Sequence, residues 1–383
     1  MAFTGTALYD MFTNEVAEDV SDIVSTISPR VTPFLDAIGD ADAPFTSSYY
    51  TWLEKALLPD TFALSSAIAS SAAASNGIEV GANANLLRVG DILMATKGRE
   101  QMYVSSIGAA AATIYVTRAY AGTTANSLNE AGDNLEFLAS ALEEGTDARA
   151  ARRRGKTLKG NFIQKFREDI NISRRGNNAG LKVANLPKPF DEEKVDKTEE
   201  VLKQLERQVI MGRTNGNTIG ADDAPSTLAG IYNSIATNVV SHATFSNSFL
   251  NNMLADISNY TDIESNNDRY HLFCGTRAYR NVSNTRDGRV RQATTDAIAG
   301  LRAPEIYESD LGAMPISHLR WLPQGTIMAV RKDFVKVAPF QGLSFGARQY
   351  DNGSSNVVGY VEGDYGVEFH QEQAHGRFDG IGG

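Results

Sequence analysis

The segment PFDEEKVDKTEEVLKQLERQVIMG, Pro189–Gly212, is the longest stretch of the chain with one consistent periodicity. Pro187 and Pro189 precede it and Gly212 follows it, the usual punctuation of a helix start and stop. The spacing predicts a helix over 190–211, with Val195, Leu202, Leu205 and Val209 as its apolar stripe. Glu193 with Lys197, and Glu199 with Lys203, are i,i+4 pairs in the favourable orientation. At 1.5 Å per residue the helix would span roughly 33 Å. Seven acids and three lysines lie between Asp191 and Glu206, so its exposed face is acidic.

Immediately before this helix the charge reverses. Arg149 to Lys182 holds eleven Lys or Arg against Glu168 and Asp169, a segment of +9 in a chain of net charge −10. Such asymmetry marks an interaction tract, whose partner is nucleic acid or an acidic protein surface. Few aromatics interleave with the arginines, which disfavours base stacking. Phe162, Phe166, Ile170 and Ile172 give the tract one apolar side, as a strand or a helix would need.

Further upstream the pattern is β. Strands are expected at 89–94, 100–107, 112–118 and 135–138, punctuated by Gly98, Gly108, Gly122 and Gly132, as a small inserted barrel or sandwich. Ser65 to Asn85 is rich in Ala, Ser, Gly and Asn and reads as a flexible or weakly packed extension. Tyr49 to Glu54 alternates as a strand, and Val31 to Gly39 reads as a short apolar anchor. Leu8, Phe12, Val16, Val20, Ile23 and Ile27 recur every three or four residues, an amphipathic helix ended by Ser28-Pro29.

Downstream of the long helix, strands and helices mix. Phe249, Leu250, Met253, Leu254 and Ile257 mark a helix; His271–Cys274, 314–321 and 326–330 read as strands. The end of the chain reads as glycine-punctuated strands at 335–338, 343–348, 357–362 and 367–371. Cys274, the single cysteine, lies in an apolar strand and reads as a core residue in a reducing compartment. The 383 residues are 42% hydrophobic, enough for real cores, yet no apolar run reaches membrane-spanning length and no secretory leader is evident.

Three motifs suggest chemistry and lack its context. Gly342-Leu343-Ser344-Phe345-Gly346 matches a nucleophile elbow, with Asp364 and His375 following in order. The residues after Ser344 form a turn, whereas the elbow needs a helix there. His370 and His375 are five apart, and a zincin needs four on a helix face. Gly155-Lys156-Thr157 ends like a phosphate loop, but Ala150 stands where the first glycine belongs. No catalytic, cofactor or metal residue is assigned.

The order of pieces is more informative than any motif: an arm, a β extension with a β insertion, one long acidic helix, a mixed region, and returning strands. That order resembles the Hong Kong 97-type capsid fold of tailed phages. Thr32–Gly39, Tyr49–Leu53, Leu87–Leu93, Val116–Thr123, Leu142–Thr146, Leu228–Ile231, Tyr307–Gly312, Val361–Glu368 and Glu372–Gly376 are similar to major head proteins of the kind typified by phage SU-ten.

The resemblance implies an α+β capsid fold: an N-terminal arm (1–48), an extended loop (49–160) with an inserted β domain at about 86–142, a P domain (161–235) with its spine helix, an A domain (236–330), and P-domain return strands (331–383). It further implies a non-enzymatic shell of pentamers and hexamers around double-stranded DNA, made in the host bacterial cytoplasm, with no cofactor and no membrane. Scaffolding protein, portal and decoration proteins are the implied partners beside the chain itself. An encapsulin-like compartment of the same fold is the alternative, and a serine hydrolase using Ser344 a remote one. The expected intersubunit contacts are Arg149, Arg152, Arg153, Arg154 and Lys156 against Glu192, Glu193, Glu199 and Glu200, with Phe12, Val16 and Ile23 of the arm packing beneath a neighbour.

Overall fold

The computed structural model describes residues 32–39, 43–55, 60–68, 77–108, 113–128, 133–142, 144, 145, 147, 155–178, 188–215, 225–263, 269–285, 306–350, 353 and 355–382. It divides into two units, Met1–Trp52 with Lys159–Gly383, and Leu53–Leu158. The first described elements are α1 (Pro33–Ile38) and β1 (Tyr49–Glu54). The second unit holds β2 (Thr61–Ala63), β3 (Gly77–Glu79), β4 (Asp91–Ala95), β5 (Gln101–Ile107), β6 (Thr113–Thr117) and β7 (Asn134–Ser140). The chain returns along β8 (Thr157–Phe162), which pairs with β1, and continues as β9 (Gln164–Ser173), α2 (Arg174–Asn177) and α3 (Pro189–Met211). Then come α4 (Ile231–Ser234), β10 (Val239–Ser241), α5 (Asn247–Ser258), β11 (Tyr270–Cys274), α6 (Thr276–Thr285), β12 (Ile306–Ser309), β13 (Gly312–His318) and β14 (Ile327–Arg331). The chain ends with β15 (Val335–Pro339), β16 (Gly346–Tyr350), β17 (Asn356–Phe369) and β18 (Gly376–Asp379).

The second unit is one six-stranded sheet in the order β2-β7-β4-β5-β6-β3. Its strands alternate as half-buried strands must: Leu93, Met102, Val104, Ile114, Val116 and Leu135 are buried. The Ser65 amide donates to Glu79 O at 2.8 Å, which joins the two edges and closes the sheet toward a barrel. Of the flexible or weakly packed extension expected at 65–85, the described part is packed. Ile78 on β3, then Val80 and Ala84, are buried in this core. Small side chains there thin the packing without preventing it. The sheet thus starts before residue 86.

A buried ion pair holds the irregular end of this sheet. Glu100 accepts from Arg118 Nε at 2.9 Å and Nη2 at 2.6 Å, and from the amides of Ala119 (3.1 Å) and Asn126 (2.9 Å). Burial alone would raise its pKa, but Arg118 and the two amides outweigh it and hold the carboxyl below its ordinary value. Around it Arg99, Ala119 and Ala121 take left-handed backbone, φ 52°, 52° and 57°, a conformation costly without glycine. Four donors on one carboxylate hold this strained loop in place.

The first unit contains two sheets. In one, β17 is central: β9 pairs along Asn356–Tyr365 on one side, while β16 and then β15 pair on the other, all antiparallel. Helix α3 lies on this sheet. The other sheet runs β10-β18-β14-β11-β13-β12 and packs against α5 through Leu250, Met253, Leu254 and Ile257. The last strand, β18, pairs with β14 and β10. It therefore does not join the other return strands, because Phe378 and Ile381 fill the core under α5.

The helix expected at 190–211 forms, one residue longer at its start. Its stripe is corrected. Val195 is 59% exposed, and the buried set is Val201, Leu205, Val209 and Ile210. The C-terminal half of α3 supplies its fully buried apolar residues; in the first half Phe190 packs against the core, while Val195 finds nothing to bury. Gly212 ends the helix with φ −56°, so it supplies no left-handed cap. It is glycine because a Cβ there would lie 2.7 Å from Leu228 O.

The two strands expected at 357–362 and 367–371 are one 14-residue strand, β17. Its glycines read as breaks, yet they are sockets. A Cβ on Gly359 would lie 2.7 Å from the Phe190 ring, on Gly363 2.5 Å from Phe345, and on Gly366 2.8 Å from Tyr50 and 2.9 Å from Phe45. We expect Gly366→Ala to lower stability by about 1–3 kcal/mol through overpacking, read by thermal unfolding. Gly155→Ala, where nothing lies within 4 Å, should stay within about 0.5 kcal/mol. Glu100→Ala, which strands Arg118 in a dry site, should cost about 3–5 kcal/mol in denaturant titration; an unchanged midpoint would contradict the hub assigned to Glu100.

Candidate intersubunit surfaces

The first candidate surface is the two-stranded ribbon of β1 and β8. Ile163 N–H bonds Ser48 O at 2.9 Å, and the Tyr49 and Phe162 rings meet at 4.8 Å, which sets the β1–β8 register. On the inner side Tyr50 is buried. Its hydroxyl donates to Val367 O and accepts from Val367 N–H, both at 2.6 Å. Burial pushes the Tyr50 hydroxyl far above its ordinary pKa, so it stays protonated and keeps both bonds. Asn161 uses its whole amide. Nδ2 donates to Val367 O (3.0 Å) and Ala229 O (3.2 Å); Oδ1 accepts from Ala229 N–H and Phe162 N–H, both at 2.9 Å. Tyr50 and Asn161 together bolt β1 and β8 to the C-terminal end of β17, at Val367.

Beyond the bolt the ribbon is bare. Thr157, Leu158, Lys159 and Gly160 of β8 are all exposed, Leu158 at 62%, and Leu53 on β1 is 58% exposed. Unsupported two-stranded ribbons are marginal in water.

The acidic surface lies on the first half of α3. Glu192, Glu193 and Glu200 are exposed, and Glu199 is half-buried. Asp191 and Glu192 sit in the first turn, where the helix dipole favours anions. Lys197 pairs at 2.7 Å with Glu200, on the turn after it, where the expected partner Glu193 lies on the turn before, and it also faces Glu168 of β9 at 3.7 Å. Its pKa is raised, chiefly by the Glu200 bond.

On the basic side, Lys156 is exposed just before β8. Arg149, Arg152, Arg153 and Arg154, and Phe12, Val16 and Ile23 of the arm, lie outside the described residues. The tract's later part is a strand: on β9, Phe166 and Ile170 are buried while Lys165, Arg167 and Asp169 face out. Those outward charges answer charges within the chain. Arg167 pairs with Asp169 at 2.7 Å and stacks over Tyr360 at 4.2 Å, and Lys165 lies 3.3 Å from Glu362.

The motifs with chemical appearance take structural roles. Ser344 lies in the loop before β16, so a strand follows it where the elbow needs a helix. His375 is fully buried: Nδ1 accepts from Arg331 N–H and Nε2 faces His370 O. Burial drops its pKa to about 3, so it is a neutral core histidine. His370 lies 3.4 Å from Glu368. Lys156 leads into a strand, whereas a phosphate loop leads into a helix. Cys274 is buried, and burial raises its thiol pKa well above the ordinary range. Among the described residues no cluster of three or more His, Cys, Asp or Glu could hold a metal, and no helix is long and apolar enough to cross a membrane.

Sequence reading missed Tyr50, Glu100, Asn161 and Glu206. Each is polar, buried, and engaged with residues distant in the chain, so no local pattern signals it. Only the alternation of Tyr49–Glu54 placed Tyr50 on a definite face.

Comparison with known proteins gives this geometry a family. The capsid of a native GTA particle superimposes over 100% of this chain and 100% of its own, with a TM-score of 0.53 at 9% identity. That likeness supports the Hong Kong 97-like capsid fold. A solved chain of Mycobacterium phage Bobi matches over 96% of each chain at 8% identity, TM-score 0.46. The SrpI encapsulin of Synechococcus elongatus PCC 7942 covers 59% of this chain and 76% of its own at 13% identity, TM-score 0.42. No curated protein matches the sequence. The family model of the SU10 major capsid protein matches residues 3–382, and the chain belongs to that family.

Proposed function

We propose that this chain is the repeating subunit of an icosahedral phage head, assembled from pentamers and hexamers around double-stranded DNA. The family match over residues 3–382 carries the reading. Residues 1–48 are its N-terminal arm and 49–160 its extended loop, a division supported by the separate unit Leu53–Leu158. The P domain comprises 161–235 with the strands β15 to β17. The A domain takes 236–330 together with β18. Scaffold, portal and decoration proteins are further partners, and synthesis takes place in the host cytoplasm.

Assembly energy comes from surfaces that one copy leaves open. The exposed Leu53 and Leu158 of the ribbon offer apolar area worth about 25 cal/mol per Å² once covered. Arg149, Arg152, Arg153, Arg154 and Lys156 meet the acidic face of α3 in a neighbouring copy. Phe12, Val16 and Ile23 of the arm pack beneath another. The net charge of −10 makes a wall that repels packaged DNA weakly. An encapsulin-like compartment would share the fold and differ in cargo.

Electron microscopy of purified protein should show closed polyhedral shells, or rings of five and six, with nucleic acid inside native particles. Protein cargo instead would favour the compartment. Arg152, Arg153 and Arg154 replaced together by alanine should reduce shell yield several-fold at low salt, with the deficit shrinking as salt screens the contact. Normal shells that package DNA poorly would move those arginines to a DNA contact.

A further inference from the structure

Among the described residues, Glu206 is the one fully buried carboxylate on the face of α3 that packs into the largest core. It sits on the inner face of α3 between Val201, Leu205, Val209 and Ile210, and its exposure is 0%. Neither carboxylate oxygen has a hydrogen-bond partner among the described residues. The group across from it is α1. The amides of Phe34 and Leu35, in the first turn of that helix, act on the carboxylate favourably without completing a bond. Helix α1 seats itself through Phe34, fully buried and 4.9 Å from the Phe273 ring, and its chain runs directly into the N-terminal arm.

A charged carboxylate in that position is poorly solvated, whereas a neutral one is tolerated. We propose that Glu206 is a proton-operated latch: protonated, it lets α1 seat on α3; ionised, it loosens α1 and with it the root of the N-terminal arm.

The two α1 amides favour the charged form, and burial outweighs them. Asp36 on α1 adds a like charge. The charged groups on the other elements around α1 are engaged elsewhere. In the 3-10 turn Lys332–Phe334, Asp333 pairs with Arg269 and Arg331, while Lys332 acts on His271. On β15, Lys336 pairs with Glu368. Against α3, Glu168 of β9 binds Lys197 and Gln204, the α3-facing residues of β17 are Gly359, Val361 and Gly363, and α4 carries no charge. Burial, with Asp36 behind it, raises the Glu206 pKa from 4.5 to about 7. The sign follows. The seated state holds the proton more tightly than the open one, so the latch is fully closed below about pH 4.5 and weakens as pH rises to about 7. Above that it gains nothing further.

The test is hydrogen exchange of the Asp36 and Gly39 amides, which bond Thr32 O and Leu35 O, in the full-length protein, corrected for the intrinsic pH dependence of exchange. From pH 5.5 to 8 their protection should fall more than about tenfold, while that of α5 stays level. Glu206→Gln should be protected equally at both pH values. Asp36→Asn should move the midpoint to lower pH, a shift that a purely structural role for Glu206 would not produce. Parallel pH profiles for wild type and Glu206→Gln, or an unmoved midpoint in Asp36→Asn, would overturn the latch.

Discussion

The structure of the larger unit depends on the narrowness of one strand. β17 has strands on both sides and, at Gly359, Gly363 and Gly366, no side chain at all. Phe190 from the start of α3, Phe345 from the approach to β16, and Tyr50 with Phe45 from the root of the extended loop each fill one gap. Glycine in a strand costs roughly 0.5–1 kcal/mol relative to alanine. An aromatic ring buries 150–250 Å², which more than offsets it. The long helix, the outer strand and the ribbon root are therefore referenced to one backbone, and a side chain at any socket would displace a whole element.

Much of this was legible in the sequence because periodicity reports burial directly. The alternation of Tyr49–Glu54 and of the four inserted-domain strands, and the spacing of Leu250, Met253, Leu254 and Ile257, all came through at nearly the right residues. What failed shares one cause: a local pattern cannot tell what lies opposite. Val195 keeps helical spacing with the stripe yet projects where there is no core. Gly363 and Gly366 have the composition of a turn, and only the rings arriving from residues 345 and 50 make them continuous strand. Residues 77–86, mostly Gly, Ala and Asn, look hard to pack until β6 supplies the partner for Ile78.

The candidate surfaces divide in the same way. Charge is visible in composition, so the acidic face of α3 was found. Buried polar hubs are invisible, because Glu100, Asn161 and Glu206 resemble any surface polar residue until their partners are known. Asn161 bonds Val367, 206 residues away, and Tyr50 bonds the same residue from 317 away. The family resemblance came from the order of short motifs, several of which now have a physical basis. Gly363 and Gly366 in Val361–Glu368 are sockets. Gly230 in Leu228–Ile231 leaves room for the Gly212 amide, 2.4 Å from where a Cβ would stand.

The polar hubs bear on how such a subunit works. Apolar side chains of similar volume would often stabilise a buried site as well or better than a charged or hydrogen-bonded group. Polar hubs instead restrict geometry, since each donor has one satisfactory position. Asn161 and Tyr50 hold the ribbon root at one register on β17, and Glu100 holds a left-handed loop that alanine and arginine would otherwise leave. A shell subunit needs this property more than it needs stability. On the proposed reading, its open surfaces, the exposed end of the ribbon and the acidic half of α3, are where a neighbouring copy would gain energy by arriving in register. Glu206 differs from the other hubs: it is fully buried facing α1, and its carboxylate oxygens have no hydrogen-bond partner among the described residues, the feature on which the proposed latch rests.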